Sequence, residues 1–260
     1  YNRGQRLDYD TWSQRGNRGW GYADILPYFK RCEQRIGVGD DTFRGRDGNL
    51  QVTDLNYKHP LCEAFMEGAG ELGIPRNLDY NGSSQEGISY VQRTTYRRRR
   101  VSTARAFLNP AKKRSNLKVV TNAFVTRILL DNKTAHGVEF SKGGQGGELS
   151  QVSAKKEVIL SGGTINSPQL LQLSGIGEGA LLRSLGIKIV HELAGVGENL
   201  RDHYAPRFCA RVKGIETINE QSKGVKLLGE IAKYFVGGRS ILNLSPSMVY
   251  GFWHSDPVAK

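Results

Sequence analysis

The sequence predicts an α/β protein of the α+β kind. Three observations carry this. Between residues 117 and 161, short β-rich runs alternate with the turn clusters "DNKT" and "GGQGG", the pattern of an antiparallel meander. The run "EVILS" then leads through the glycine turn Ser161–Gly163 into "PQLLQLSG", giving strand, turn and helix in succession. Helical stripes stand near both ends of the chain, in "GWGYADILPYFKRCEQ" and "QSKGVKLLGEIAKYFVGG".

The elements follow in order. Residues 1–35 read as loop and helix, with Ile25, Leu26, Tyr28, Phe29 and Cys32 at helical spacing. Residues 37–57 are glycine-rich and polar around a short strand at "NLQV". A helix opens at Pro60, and residues 76–101 read as irregular. Ser102 or Thr103 caps a short helix through Phe107, stopped before Pro110. Strands are predicted at 117–121, 124–130, 135–141, 149–154 and 157–161. Ser167 reads as a helix cap, Pro168 as the first helical residue and Gly175 as the stop. The helix "EGALLRSLG", a strand at 187–191 and the polar turn "GVGENLRDH" come next. From about 205, "RFCARV" alternates as a strand does, an amphipathic helix follows, and "SPSMVYGFW" reads as a further strand.

One short motif invites a functional reading and fails it. Gly68, Gly70 and Gly73 in "EGAGELG" have the spacing of a dinucleotide-binding turn. That turn must follow a strand and open a helix, so that free N–H groups face the pyrophosphate. Here Leu61, Cys62, Phe65, Met66, Ala69 and Leu72 form a helical stripe, with Pro60 at its start and Gly73 just past its end. The N–H groups of Gly68 and Gly70 are spent on that helix.

Composition narrows the classes. The chain has 260 residues, 38% hydrophobic and 24% charged, as a globular protein with a real core would have. No run approaches the roughly 18 apolar residues of a membrane helix, and no integral membrane segment is expected. The first ten residues do not read as a signal peptide. Cys32, Cys62 and Cys209 lie far apart, which favours a reducing compartment, and the five histidines show no metal-binding spacing. The net charge of +12 is dispersed apart from Arg97–Arg100, which reads either as a solvated loop or as a basic nucleic-acid contact. No RNP motif, zinc-finger spacing or basic heptad accompanies it, so no nucleic-acid partner is expected.

The run "GGTINSPQLLQLSGIG", Gly162–Gly177, resembles the second signature of the glucose–methanol–choline (GMC) flavin oxidoreductases, with Ser167-Pro168, Leu170-Leu171 and Ser174-Gly175-Ile176-Gly177 in order. "RGQRLDYDTW", "STARAFL", "NLKVVTNAFVTRIL" and "GVGENLRDH" look like further landmarks of the same family, and the choline dehydrogenase branch is the most similar in flavour.

This resemblance implies FAD as cofactor and a partial Rossmann-like FAD-binding domain with a β-meander, joined to part of an antiparallel-sheet substrate domain. The implied division is 1–110 as a helical and loop region bridging the two, 111–204 as FAD-binding, and 205–260 as the start of the substrate domain. It implies a CH–OH oxidation of a small-molecule alcohol, with hydride passing to flavin and the electron acceptor unspecified. It places the FAD fingerprint ahead of Tyr1 and the catalytic histidine segment past Lys260, so no residue here is expected to be catalytic, His203 included. The non-catalytic alternative is a relative that keeps the fold as an interaction module. Cofactor contacts are expected at Val125, through its backbone, and at Ser161, Gly162 and Gly163; a plain tight turn is the competing reading of the glycines. No metal is expected. The implied location is cytoplasmic or peripheral to a membrane.

Overall fold

The computed structural model describes residues 1–245 and 247–254. In chain order its elements are α1 (Arg6–Gln14), α2 (Tyr22–Cys32), β1 (Glu33–Ile36), β2 (Leu50–Asp54), α3 (Pro60–Glu71), β3 (Gly87–Tyr90), β4 (Gln92–Arg93), β5 (Thr95–Tyr96) and β6 (Arg99–Arg100). A π-turn at Ala104–Leu108 runs into α4 (Asn109–Ala111). Then come β7 (Ala123–Asp131), β8 (Thr134–Lys142), β9 (Glu148–Ser153), α5 (Gly163–Leu173), β10 (Ile176–Gly177), α6 (Gly179–Ser184) and β11 (His191–Glu192). Last are α7 (Ile218–Gln221), α8 (Gly224–Phe235), a 3-10 turn at Ile241–Asn243 and β12 (Val249–Phe252). The chain divides into two compact units, Tyr1–Leu117 with Val212–Lys260, and Lys118–Arg211.

The first unit is built on charge as much as on apolar contact. β2 pairs in parallel with β1 and antiparallel with β4. Within this sheet Glu33 of β1, wholly buried, pairs with both Arg3 and Arg44. Arg44 also pairs with Asp79 and donates to the Gln92 side-chain oxygen at 3.0 Å. Two buried guanidiniums thus meet two carboxylates, which such burial requires. The Tyr80 hydroxyl accepts from the Gln92 N–H at 2.6 Å, and burial pushes it up to about 12. The glycines of 37–57 have a use here. A Cβ on Gly45 would stand 1.9 Å from the Lys30 carbonyl oxygen, so the loop lies flat against the end of α2 only without a side chain.

The apolar centre of this unit gathers Met66 and Ala69 of α3 with Ile88 of β3, flanked by Cys62, Ile74, Tyr90 and Val249. β3 is paired antiparallel with β12. α3 runs through Gly68 and Gly70 as a helix, and Gly73 takes φ +84° just beyond it. The strands β3–β6 correct the irregular reading of 76–101. β5 and β6 form a hairpin whose turn residues, Arg97 and Arg98, take φ +47° and +65°. The helix expected to end before Pro110 instead continues through it into α4, the Asn109 N–H bonding the Ala104 carbonyl before the proline and the Lys112 N–H the Leu108 carbonyl at 2.9 Å beyond it.

The second unit contains the antiparallel meander β7–β8–β9. The expected strands at 117–121 and 157–161 are unpaired, and so is "RFCARV"; no neighbouring strand edge bonds them among the described residues. The strand expected at 187–191 shrinks to β11, paired in parallel with β10. α5 begins at Gly163, four residues before the expected cap, and holds Pro168 inside. The Ser167 hydroxyl nonetheless accepts the Gly162 N–H at 3.0 Å, binding back onto the turn that precedes the helix.

Candidate functional site

The second unit holds a groove of about 700 Å³. One wall is the start of β7, Ala123–Val125, with Gly137 and Val138 of β8 and Val152 of β9. The other is the extended segment Val158–Gly162 and one side of α5 along its length, through Asn166, Gln169, Leu170 and Leu173.

Each wall is fixed locally. β7 enters from Asn122, whose φ of +53° turns the chain into the strand, and a register shift falls between Val125 and Arg127. Such a bulge re-aims the side chains on either side of it. Gly137 lets β9 approach, since a Cβ there would lie 2.3 Å from the Val152 carbonyl oxygen. The far end of α5 is tied to β7 by Ser174, whose hydroxyl accepts the Ile128 N–H at 2.8 Å and donates to the Leu170 carbonyl at 2.6 Å. Glu139 of β8 is clamped by Arg127, Gln151 and Thr126, and these hydrogen bonds, Arg127's foremost, hold its carboxyl down at about 2.

Three of the four expected contact residues, Val125, Ser161 and Gly162, line this one groove. Gly163 adjoins it as the first residue of α5. Its φ of +85° is the left-handed region, and a Cβ there would meet nothing within 4 Å, so backbone conformation rather than crowding demands glycine. A Cβ on Gly162 would instead press on Asn166 and on the Ser167 N–H, each at 3.2 Å. His203 is exposed and does not line the groove. Sequence reasoning missed Phe124, Val138, Ile159 and Asn166. The alternation in β7 and β8 marked the apolar wall, but nothing marked Asn166.

The groove suits a flat, partly apolar ligand with an anionic end. Phe124, Val125, Val152, Ile159 and Leu173 all keep large exposed areas along it. The first N–H groups of α5 have no partner within the helix and carry its positive dipole end. An adenosine with its phosphate has this chemistry, so the residues fit the adenosine end of FAD.

The family model described as GMC oxidoreductase matches residues 1–205. The chain belongs to the GMC oxidoreductase family. It is 41% identical, over 260 residues, to the mitochondrial choline dehydrogenase of Homo sapiens, covering 99% of this chain and 43% of that protein. It is 47% identical over 203 residues to an oxygen-dependent choline dehydrogenase of Sinorhizobium fredii, covering 78% of this chain and 36% of the relative. A solved FAD-dependent oxidoreductase from Chaetomium thermophilum superposes with a TM-score of 0.86 at 29% identity, over 96% of this chain and 46% of its own. The chain therefore spans less than half the length of the relatives it matches.

Proposed function

We propose that this chain contributes the adenosine-binding part of an FAD-dependent oxidoreductase acting on the CH–OH group of a small alcohol. The observation that carries the reading is the convergence of Val125, Ser161 and Gly162 on one apolar groove between the meander and α5, in a chain of this family. The names of its relatives, choline dehydrogenases and an FAD-dependent oxidoreductase, support the cofactor and the alcohol.

When bound, FAD supplies the hydride-accepting chemistry. The chain's own residues bind and orient. Phe124, Val125, Val138 and Ile159 give the ring an apolar wall, and the strand backbone at Val125 offers an edge that reads a base whatever the side chain. Gly163 sets the turn that aims the first N–H groups of α5, which favour an anionic group. No histidine lines the groove, whose own residues serve to bind and position. We assign residues 111–204 to the FAD-binding domain, 1–110 to the bridging region and 205–260 to the start of the substrate domain; the compact unit Lys118–Arg211 supports the first of these. Cys32 and Cys209 are exposed free thiols and Cys62 is a half-buried one, which fits the reducing cytoplasm.

Titration of the chain with FAD, followed by flavin fluorescence, tests the reading. Weak binding that ADP displaces, with no alcohol turnover, is expected. Val125→Arg should weaken it at least about tenfold, while circular dichroism stays unchanged. Binding that ADP leaves intact, or that Val125→Arg leaves unaltered, refutes the assignment.

A further inference from the structure

The buried histidine at the start of α3 has no part in the groove, and both nitrogens of its ring are in use. His59 is 7% exposed. Its Nδ1 accepts the Leu61 N–H at 3.2 Å and so caps α3. Its Nε2 lies 3.0 Å from the Glu216 carbonyl oxygen, 157 residues further along the chain. A carbonyl oxygen can only accept, so Nε2 carries the hydrogen and Nδ1 the lone pair. Only one neutral tautomer serves both bonds. The next two N–H groups of the helix, those of Cys62 and Glu63, bond the His59 carbonyl at 2.8 and 3.2 Å.

The imidazolium form carries a hydrogen on Nδ1 as well, pointed at the Leu61 N–H. It also sets a positive charge at the positive end of the α3 dipole. Among the described residues no carboxylate is in ion-pair contact with His59 to answer that charge. The acids around it are engaged elsewhere. Glu63 accepts from the Tyr90 hydroxyl and pairs with Arg76, which holds it below the usual carboxylate range. Glu216 turns its carboxylate to Lys226 at 2.7 Å, Glu220 bonds the Thr217 N–H at the start of α7, and Glu230 pairs with Lys233 at 2.6 Å. Lys58 stands 6.0 Å from the Tyr90 ring centroid. The Tyr57 ring stacks on the imidazole at 6.4 Å. Burial pushes the Tyr57 hydroxyl and the Cys62 thiol up, and the Tyr90 hydroxyl up to about 12. Of the side-chain types gathered here, imidazole alone changes its charge between about pH 8 and pH 5.5.

We propose that His59 is a proton-operated latch between the start of α3 and the segment that enters α7. Neutral, it caps the helix and pins the chain at Glu216. Protonated, it has no lone pair for the Leu61 N–H, and the ring turns out toward water. Both bonds hang on one rigid ring, so the Glu216 carbonyl is released with the cap. The closed ring has no place for the second hydrogen, so proton uptake and opening are one event. One proton per opening makes the open population rise by up to about tenfold per pH unit. The Tyr57 hydroxyl, which donates to the Gln221 side-chain oxygen at 3.1 Å, involves no imidazole and tethers α7 when the latch opens. The opening is therefore local: the first turn of α3 and residues 214–221 loosen together.

Amide hydrogen exchange of the whole chain from about pH 8 to pH 5.5, corrected for the intrinsic exchange rate, tests this. The open fraction in peptides covering 60–63 and 214–221 should rise in step, by up to about tenfold per pH unit below about pH 6.5. A peptide covering β2 should stay level. His59→Asn keeps an acceptor for the Leu61 N–H, and His59→Gln keeps a donor for the Glu216 carbonyl. Neither takes up a proton, so each should flatten the rise. Glu216→Gln removes the pair with Lys226 and leaves the backbone carbonyl in place, so the rise should persist. Exchange that does not change with pH in the unaltered chain overturns the proposal. So does a rise that survives in either His59 variant, or one that Glu216→Gln abolishes. So does a rise in one peptide without the other, since a single ring holds both. The latch lies wholly in the first unit, and none of these outcomes bears on the flavin titration, which reads the other one.

Discussion

The two units solve the problem of a core differently. Among the described residues, every buried hydrophobic except Ile128 and Leu182 lies in the first unit, together with the Arg3–Glu33–Arg44–Asp79 network. The second unit keeps its meander regular but leaves Phe124, Val125, Val152, Ile159 and Leu173 exposed around the groove. A unit whose buried charges and apolar groups answer one another is self-supporting. A unit that spends its apolar side chains on a groove wall has less to hold it until that groove is filled.

The largest effect should therefore come from Glu33. Its side chain is fully buried between two buried guanidiniums, so Glu33→Gln strands one net positive charge in the interior. A loss of about 3–5 kcal/mol is expected for the first unit by urea unfolding, with the meander signals unmoved. A loss below about 1 kcal/mol would show that water reaches the network, and the contrast between the units would fail.

Next come paired cavity mutants, Met66→Ala in the first unit and Leu182→Ala in the second, both positions being essentially inaccessible. Met66→Ala should cost about 3 kcal/mol. Leu182→Ala should cost about 2 kcal/mol, because its looser surroundings can collapse. Equal costs would mean that the second unit is packed as well as the first. ADP at a hundredfold excess over its dissociation constant should raise the stability of the second unit alone, by about 2.7 kcal/mol, and Val125→Arg should erase the gain.

What the sequence disclosed follows the same division. α3 was legible because Pro60 and Gly73 punctuate it, and this alone removed the false glycine motif. The meander was legible because its turns are local; β7, β8 and β9 end within a residue or two of the expected bounds. β3 to β6 were not, since they are two to four residues long and β3 owes its pairing to β12, more than 150 residues away. The segments 117–121 and 157–161 have the composition of strands, but a strand exists only where another edge bonds it. The start of α5 was misplaced because Ser167-Pro168 looks like a cap and first residue, whereas the left-handed Gly163 starts the helix. Of the groove, the residues on β7 and at the glycine turn were legible and the polar Asn166 was not.

A smaller, pH-dependent difference should separate the units in acid. Hydrogen bonds from Arg127, Gln151 and Thr126 hold Glu139 at about 2, below its ordinary value of 4.5. A depressed carboxyl stabilises the fold fully above its unfolded value and loses that contribution as pH falls from about 4.5 toward 2. The second unit should weaken across that window, and Glu139→Gln should flatten its acid limb. An unchanged acid limb in the variant would show that Glu139 is not the titrating group.

The smallest effect concerns a place where the first unit carries backbone strain. Arg97 takes φ +47°, a conformation that costs a side-chain-bearing residue about 1–2 kcal/mol, whereas glycine adopts it freely but orders at a cost of about 0.5–1 kcal/mol. Arg97→Gly should therefore raise stability by about 0.5 kcal/mol. Arg98→Gly relieves the same kind of strain at φ +65° but removes the donor to the Tyr234 carbonyl and the contact with its ring. A cation at a helix C-terminus contributes about 0.3–1 kcal/mol, so this second variant should gain nothing and loosen α8. Hydrogen exchange in α8 separates the two. If Arg97→Gly also loosens the helix, the two arginines act as one clamp, and Arg97 is held in its strained turn by the fold and not for its outward charge.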